Sequence, residues 1–278
     1  MIRVGMSTTC VYPLEAEQAF RLAKLAGFDG VEVMVTQEES TQRAEPLLEL
    51  SRRYALPILS VHAPVLLLTH FVWGRDPRAK LARTAELAVA VGAETVVVHP
   101  PFRWQAAYAV DFLTLVREIA AQFDVEIAVE NMFPWRAAGR NLTAYSPGWD
   151  PRLMDCDAVT LDFSHAALSG VDSLQFANDL GERMRHVHLC DGSGAIGEGQ
   201  VFDEHLLPGR GHGLAARGWD GSIVAEINTR KARTEQDRLE LLRETLEFAR
   251  THTHQTRRRR AMTRSRRALE AILPSHRH

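Results

Sequence analysis

The sequence is poor in cysteine and has no long apolar segment. Its three cysteines, Cys10, Cys156 and Cys190, are far apart and form no CxxC pair. This spacing predicts a reduced, cytoplasmic protein without a disulfide framework. No run approaches the roughly 18 apolar residues that a membrane helix needs, and the opening MIRVGMSTTC lacks the apolar core of a signal peptide. Neither a membrane anchor nor secretion is therefore expected.

Nucleotide-binding glycines are also missing. No GxGxxG pattern follows the first apolar run, and GMSTTC at 5–10 is not a phosphate-binding loop. A doubly wound open sheet of the dinucleotide-binding type is therefore disfavoured, although it stays open as an alternative α/β architecture.

Acidic and basic residues nearly balance, but they are unevenly distributed. The net charge is −2, yet residues 251–278 contain eight arginines and one acid, Glu270, and so carry +7. Residues 1–250 therefore carry −9. An acidic body is not the surface of a protein that grips nucleic acid, and only the tail suits polyanions. The sequence predicts one domain over residues 1–250 and an Arg-rich tail over 251–278, flexible or partly helical.

Eight short apolar runs recur along the chain, most of them separated by an amphipathic stretch. Helical patterns are clearest over residues 15–26, 76–91, 106–122, 172–184 and 235–250. Such alternation predicts an α/β protein with a single (β/α)8 TIM barrel. The runs are IRVGMS (2–7), GVEVMV (30–35), ILSVHA (58–63), TVVVHP (95–100), EIAVEN (126–131), VTLDFS (159–164), HVHLCD (186–191) and SIVAEI (222–227).

Side chains that can bind metal or transfer protons stand near the ends of most of these runs. The active site of a (β/α)8 barrel forms where its strands end, so these side chains are expected to converge. A lone histidine or glutamate there is most often a hydrogen-bonded rim residue, but that explanation does not account for seven strands of eight. The residues are Glu32, His62, His99, Glu130, Asp162 with His165, His188 and Glu226.

Carboxylates and imidazoles crowded at one barrel mouth require a compensating positive charge. A divalent cation supplies it, and mixed His, Asp and Glu ligation suits Zn²⁺, Mn²⁺ or Fe²⁺, while the lack of thiolates argues against a structural zinc site. The segment DEHLLPGRGHG at 203–213 adds Asp203 and His205, whose spacing turns both side chains the same way on an extended loop. Arg210, in the Gly-rich turn that follows, could hold a phosphate or carboxylate, or the segment is an ordinary surface turn.

An ordered set of short motifs accompanies these residues: VHAP (61–64), VVHP (97–100), VEN (129–131), LDFSHA (161–166), HLCD (188–191), DxH and PGRG within 203–211, and AEI (225–227). The set resembles the xylose isomerase-like TIM-barrel superfamily. That group contains sugar and sugar-phosphate isomerases and epimerases, inosose dehydratases, and metal-dependent apurinic endonucleases of the endonuclease IV type. The resemblance covers residues 1–250 and implies a metal-dependent enzyme.

Similarity to the epimerases implies one metal ion held by a quartet of residues from the last four strands. Its two glutamates would flank the substrate carbon, one removing a proton alpha to a carbonyl and the other returning it on the opposite face, while the metal stabilises an enediolate. The quartet is Glu130, Asp162, His188 and Glu226, with Glu130 and Glu226 as the catalytic pair.

Similarity to the endonucleases implies three zinc ions and nine ligands, and all nine positions carry a matching residue type. Such clusters favour phosphate ester hydrolysis. The nine residues are His62, His99, Glu130, Asp162, His165, His188, Asp203, His205 and Glu226.

The surroundings of this ligand set depart from the endonuclease pattern. Val65 follows VHAP where the endonucleases typically have a tyrosine that enters DNA, and Pro100 and Pro101 follow His99 in place of two glycines. Glu32 in GVEVM is an epimerase-like feature. These departures favour a sugar or sugar-phosphate isomerase or epimerase with one to three Zn²⁺ or Mn²⁺ ions. A multi-zinc phosphoesterase is the alternative.

In the isomerase hypothesis a further set of residues binds the substrate: His62, His99, His165, Arg210 and Glu32. Trp104, Trp135 and Phe133 are candidates for apolar walls over the substrate, or for ordinary loop packing. The expected partner is a small sugar or sugar phosphate, not a membrane, and not nucleic acid except through the tail. Barrels of this superfamily often pair, so a homodimer stays open. A non-catalytic barrel whose tail docks a partner or RNA is a third hypothesis, against which the intact ligand set argues.

Overall fold

A computed structural model describes residues 2–64, 69, 71–137, 140–192, 203–209 and 221–252. The barrel strands are β1 Arg3–Ser7, β2 Gly30–Met34, β3 Ile58–His62, β4 Thr95–Val98, β5 Glu126–Glu130, β8 Val159–Asp162, β9 Met184–Leu189 and β10 Ser222–Ala225. They are parallel and close in the order β1-β10-β9-β8-β5-β4-β3-β2. The predicted (β/α)8 barrel is confirmed, and the open doubly wound sheet is excluded. Short strands β6 Trp135–Ala137 and β7 Arg140–Leu142 form a separate antiparallel pair.

The barrel strands are buried on both faces, as parallel strands enclosed by helices are expected to be. Strands β2, β3 and β4 contain only buried residues. Because side chains alternate along a strand, every second residue points into the barrel and the others pack against the helices. The continuous Val- and Ile-rich runs of the sequence reflect this burial on both faces.

Helices follow most of the strands. They are α1 Ala16–Ala26, α2 Ala44–Tyr54, α3 Pro77–Val91, α4 Ala106–Phe123, α5 Phe163–Leu168 and α6 Ser173–Leu180, with α7 over residues 235–252. The ends of α3 follow its sequence signals. Asp76 caps the N-terminus by accepting the backbone N–H of Arg78 at 3.0 Å, and Gly92 ends the helix in the left-handed conformation with φ 73°. Within the described part of the chain, none of the helices is long and apolar enough to cross a membrane.

Three local features differ from the prediction. Helix α2 was not predicted, because no side chain caps its N-terminus and only Leu47 and Leu50 are buried on it. Helix α5 has six residues, too few to show a helical period. The helix predicted over 172–184 was too long, since α6 ends at Leu180 and Met184 already belongs to β9.

The lower interior of the barrel, near the starts of the strands, is closed by Leu59. A Cβ atom on Gly30 would lie 2.6 Å from Leu59 Cγ and 2.7 Å from the Pro57 carbonyl oxygen. A Cβ atom on Gly5 would lie 2.9 Å from Leu59 Cδ1. The two glycines therefore leave the space that the Leu59 side chain fills.

Candidate metal centre at the mouth of the barrel

The nine predicted ligands meet at the mouth of the barrel. Three are the last residues of their strands, His188 is the last but one residue of β9, and His99 and Glu226 directly follow the ends of β4 and β10. His165 lies on α5, while Asp203 and His205 come from the described segment 203–209. Because parallel strands present their carboxyl ends at the same rim, short elements bring all nine residues together. The three that end their strands are His62, Glu130 and Asp162.

Glu130 is the hub of the cluster. Its Oε2 lies 3.2 Å from His62 Nε2 and 2.9 Å from His99 Nε2. Its Oε1 lies 3.1 Å from His188 Nδ1 and 3.3 Å from His165 Nδ1. Both carboxylate oxygens thus face two imidazoles each, and the Glu130 side chain is 1% exposed. A carboxylate placed between several nitrogen donors is suited to bridge metal ions.

The quartet implied by the epimerases is also assembled. His188 Nδ1 lies 2.9 Å from Glu226 Oε2 and 3.7 Å from Asp162 Oδ2, in addition to its contact with Glu130. One ligand atom from each of these four buried residues lies within 4.8 Å of the others. A single divalent ion could therefore be held by all four residues.

A third group of possible ligands consists of Asp162, His165 and His205. His165 Nε2 is 2.8 Å from Asp203 Oδ2, and His205 Nε2 contacts the same carboxylate oxygen. His205 Nε2 is 4.0 Å from Asp162 Oδ2. Asp162, His165 and His205 again offer ligand atoms within 4.8 Å of one another. Asp162 and Glu130 thus each belong to two groups, which links the groups into one cluster.

Asp162 has two structural roles, and together they explain why an apolar strand ends on a carboxylate. Its Oδ1 accepts the backbone N–H of His165 at 2.6 Å and caps α5. Its Oδ2 faces the cluster and lies 3.3 Å from Cys190 Sγ. The cap fixes the side-chain rotamer, so the second oxygen is held toward the histidines. The cap also turns the chain so that His165 returns to the cluster one helical turn later.

Several residues that form hydrogen bonds to the predicted ligands were not predicted from the sequence. Asn131 accepts the backbone N–H of Asp162 at 2.7 Å and donates to its carbonyl at 3.1 Å, which ties β5 to β8. Thr9 donates to Glu226 Oε1 at 3.2 Å, and Ser164 donates to Asp203 Oδ1 at 2.6 Å. These bonds orient ligands without adding charge. Only VEN, as a motif around Asn131, gave any sequence signal.

The segment 203–209 is fastened to the barrel by Asp191. The backbones of Asp191 and Leu206 exchange two hydrogen bonds, of 3.0 and 2.7 Å. Asp191 Oδ2 accepts the backbone N–H of Gly209 at 2.9 Å, and Asn228 donates its N–H to the His205 carbonyl at 2.8 Å. Asp203 and His205 therefore reach the cluster from a loop that is pinned at both ends.

Glu32 and His186 lie one layer deeper in the barrel. Glu32, predicted to bind substrate, is fully buried beneath His188, with Oε1 3.1 Å from His188 Nε2. His186 precedes His188 by two residues and so points into the barrel as well, but it was not singled out in the sequence. His186 Nε2 lies 3.3 Å from Glu32 Oε2 without the alignment of a hydrogen bond. The H-x-H spacing on β9 was the available signal.

The pKa values of the cluster show how strongly it favours positive charge. Burial alone would lower the pKa of His205, but Asp203 and Glu226 raise it to about 10. Burial would likewise lower the pKa of His188, which Glu226, Glu32 and Glu130 raise well above its ordinary range. Conversely, burial would raise the pKa of Glu226, yet His188 and His205 lower it to about 2. The carboxylates thus raise the pKa of His188 and His205, whereas burial lowers the pKa of His99 below its ordinary value.

The donor set fits divalent metal ions. Imidazole nitrogens and carboxylate oxygens are the ligands of catalytic zinc and manganese sites, and three groups of them lie within the spacing of a coordination sphere. Metal binding would also compete with protons at the histidines whose pKa is raised, such as His188 and His205. The groups are His62 with His99 and Glu130; Glu130 with Asp162, His188 and Glu226; and Asp162 with His165 and His205.

Aromatic side chains form a wall beside the β4 and β5 end of the mouth. Phe102 stacks on Trp104 at 4.2 Å and on Tyr145 at 5.0 Å between ring centroids. Trp135 lies edge-on to Phe102 at 5.6 Å, and Trp104 is 61% exposed. Phe133 lies 5.0 Å from the His165 ring. Phe102, Trp135 and Tyr145 pack against one another in the loops, whereas a large part of the Trp104 ring is exposed to solvent.

Some predictions fall outside the described residues. Arg210, predicted to bind substrate, and Val65, which departs from the endonuclease pattern, belong to this group, as does the tail from residue 253 onward. The predicted roles of these residues stay predictions.

This chain matches a known protein family, and solved structures share its fold. A family model described as xylose isomerase-like TIM barrel matches residues 20–252. An uncharacterized protein of Mycobacterium tuberculosis is 45% identical over 278 residues, which cover 90% of this chain and 98% of the relative. A D-tagatose 3-epimerase-like protein has a TM-score of 0.63 at 23% identity, with 90% of this chain and 99% of that chain covered. Endonuclease IV from Thermus thermophilus has a TM-score of 0.58 at 21% identity, with 89% and 100% covered.

Proposed function

We propose that this chain, which belongs to the xylose isomerase-like TIM-barrel family, is a metal-dependent hydrolase of phosphate esters with two or three divalent ions. The contacts of Glu130 carry the proposal. Both of its oxygens face two imidazoles within 3.3 Å, so each oxygen is placed to bind a metal ion together with these rings. This arrangement suits a bridging ligand and reverses the order of hypotheses expected from the sequence, where an isomerase was preferred.

The ligand groups assign the residues that would hold the ions. Zn²⁺ or Mn²⁺ bound there would stabilise the charge on the attacking and leaving oxygens of a phosphate ester and lower the pKa of a water molecule. The chain's own contribution is orientation. Asn131 holds the Asp162 backbone, Thr9 holds Glu226, and Ser164 holds Asp203, so the ligand carboxylates are fixed before substrate arrives.

The substrate that fits best is a small sugar phosphate or a related ester. Residues 1–250 carry −9, which opposes the binding of a nucleic acid backbone over a broad surface. The exposed face of Trp104 beside the mouth suits the apolar face of a sugar ring. A protein of similar fold is named D-tagatose 3-epimerase-like, and this name also points to sugars as substrates of this barrel type.

A metal-dependent sugar isomerase or epimerase is the second candidate, and one observation favours it. Glu130 and Glu226 both lie near His188 Nδ1, at 3.1 and 2.9 Å, so one ion could bind both glutamates. Among the described residues, Glu226 Oε1 accepts one hydrogen bond, from Thr9, and the Glu226 side chain is 8% exposed. In this hypothesis Glu226 would be the better placed of the two bases.

The first experiment is metal analysis of protein purified without added metal, followed by assays on the metal-loaded enzyme. Two or three zinc or manganese ions per chain, with phosphate released from p-nitrophenyl phosphate or from sugar phosphates, would support the proposal. About one ion per chain, with proton exchange into ketoses in deuterated water and no ester cleavage, would overturn it in favour of the epimerase. Cleavage of an abasic DNA duplex in preference to small esters would overturn the assigned substrate class.

The third hypothesis is tested by truncation after residue 252. The proposed hydrolase keeps its activity without residues 253–278, because every ligand precedes them. Loss of the principal activity on truncation would point instead to a barrel whose tail carries the function.

A further inference from the structure

The ring of His188 lies between two sets of carboxylates. On one side, Nδ1 faces Glu226 at 2.9 Å and Glu130 at 3.1 Å, both in the candidate metal centre. On the other side, Nε2 faces Glu32 Oε1 at 3.1 Å. A neutral imidazole can offer one nitrogen to a metal only if the other carries the proton. The two sides of this ring therefore differ in what they can bind.

Glu32 is held firmly on the inner side of that ring. It lies in the middle of β2, in register with Ser60 of β3, and it has no solvent exposure. Ser60 donates to Glu32 Oε2 at 2.7 Å, which leaves Oε1 for His188. His62 is two residues beyond Ser60 on β3, so Glu32 lies one layer of side chains below the cluster. A substrate at the mouth cannot reach it.

We propose that Glu32 is a positioning residue that accepts the Nε2–H of His188 and so fixes Nδ1 as the nitrogen that binds metal. The inference rests on the proposed metal centre and adds a residue that does not itself bind metal or substrate. A buried carboxylate behind a ligating histidine sets its tautomer, holds its ring plane and makes it a stronger ligand. The chain Ser60, Glu32, His188 is thus a support that runs from the barrel interior to the ion.

The same residues could also hold an ion themselves. Glu32, His186 and His188 offer ligand atoms within 4.8 Å of one another, and neither ring nitrogen of His186 has a hydrogen-bond partner among the described residues. The positioning role is favoured because Ser60 and His188 already occupy the two oxygens of Glu32. An inner ion would in addition place the single ring of His188 between two cations.

The test is the substitution Glu32→Gln, which keeps an acceptor for His188 but removes the negative charge. Metal-stripped protein is titrated with Zn²⁺ alone against a chromophoric chelator, which gives both the number of ions and their affinities. We expect an unchanged number of ions and about 10- to 100-fold weaker binding of one of them. Glu126→Gln is the matched control, because Glu126 lies at the start of β5, far from the mouth, and should bind zinc as the wild type does.

A second readout follows the ring itself. In zinc-loaded protein with 15N-labelled histidines, two-bond proton–nitrogen correlations identify the protonated nitrogen of each ring. We expect one histidine with a proton on Nε2 and zinc on Nδ1, whose Nε2 signal shifts in Glu32→Gln and not in Glu126→Gln. If Glu32→Gln does not fold, Ser60→Ala takes its place, with a smaller loss of affinity and a smaller shift.

Two outcomes overturn the inference. Wild-type zinc affinity together with unchanged histidine signals would make Glu32 a structural residue only. Loss of one bound ion in Glu32→Gln, with the others unchanged, would make Glu32 a ligand of an inner ion. The zinc titration and the histidine signals both depend on metal binding alone. Failure of the phosphate ester assays would therefore contradict the proposed hydrolase without deciding the role of Glu32.

Discussion

The interior of the barrel is filled by close apolar packing near the starts of the strands and by buried charged side chains near their ends. Near the strand starts, Leu59 fills the space left by Gly5 and Gly30, and steric fit decides which residues are tolerated. Near the strand ends, Glu130, His188 and their neighbours place charge in a buried space, which opposes folding unless that charge is compensated. The same eight strands therefore hold a close-packed apolar interior at one end and the candidate metal ligands at the other.

The largest effect is expected from Glu130→Gln at the upper end. Because this carboxylate belongs to two ligand groups, its loss should remove at least one bound ion and lower kcat/KM by about a hundredfold or more. Metal content and steady-state kinetics measure both effects. The matched control is Glu126→Gln at the other end of the same strand, which should leave both unchanged. A Glu130→Gln enzyme with full metal content and full rate would contradict the assigned centre.

A smaller effect is expected from His205→Ala, which tests the outer group. A trinuclear hydrolase should lose one ion and most of its rate, about 10- to 100-fold, because His205 contributes to the group around Asp162. A one-ion epimerase would keep a good part of its rate. Comparing kcat with the number of bound ions in the same preparation separates the two outcomes.

Removal of the metal should change stability in a pH-dependent way. A histidine whose pKa is raised on folding stabilises the protein fully below its ordinary value of 6.5, and this stabilisation is lost as the pH rises through the folded-state pKa, about 10 for His205. Metal-stripped protein should therefore have a falling Tm from pH 6.5 toward pH 10. Metal-loaded protein should be less sensitive, since its histidines bind metal as neutral rings. Parallel melting curves with identical slopes would contradict this account.

The lower end should respond in stability alone. Gly30→Ala would place a methyl group within 2.7 Å of the Pro57 carbonyl, and overpacking of this kind costs about 1–3 kcal/mol. Gly148→Ala is the control, because its nearest contact would be Met154 Cε at 3.7 Å, and its free energy of unfolding should change by about 0.5 kcal/mol or less. Denaturant unfolding measures both. If Gly30→Ala lost bound metal while its free energy of unfolding stayed unchanged, the claim that the two ends of the barrel act independently would be wrong.

The fold was predictable because strands buried on both faces leave continuous apolar runs, and all eight were located. Convergence of the strand-end residues followed from the barrel. What the sequence could not supply were contacts between distant segments. Asn131 ties two strands together by its side-chain amide, and the inner position of Glu32 beneath His188 depends on the register of the strands. Helix α2 was not predicted because its short apolar face and its uncapped N-terminus give only a weak helical pattern in the sequence.

Asp203 and His205 are carried by a short loop segment, whereas the other proposed ligands lie on strands, directly after them or, for His165, on helix α5. A proposed ligand on a strand cannot be moved without disturbing the barrel, but within the described residues the segment 203–209 is attached through Asp191, Ser164 and Asn228. In the proposed multi-ion centre, replacing that one segment would change the number of ions while leaving the inner proposed ligands in place. Divergence between hydrolases and epimerases on this barrel could therefore proceed through the exchange of a single loop, without rebuilding the core.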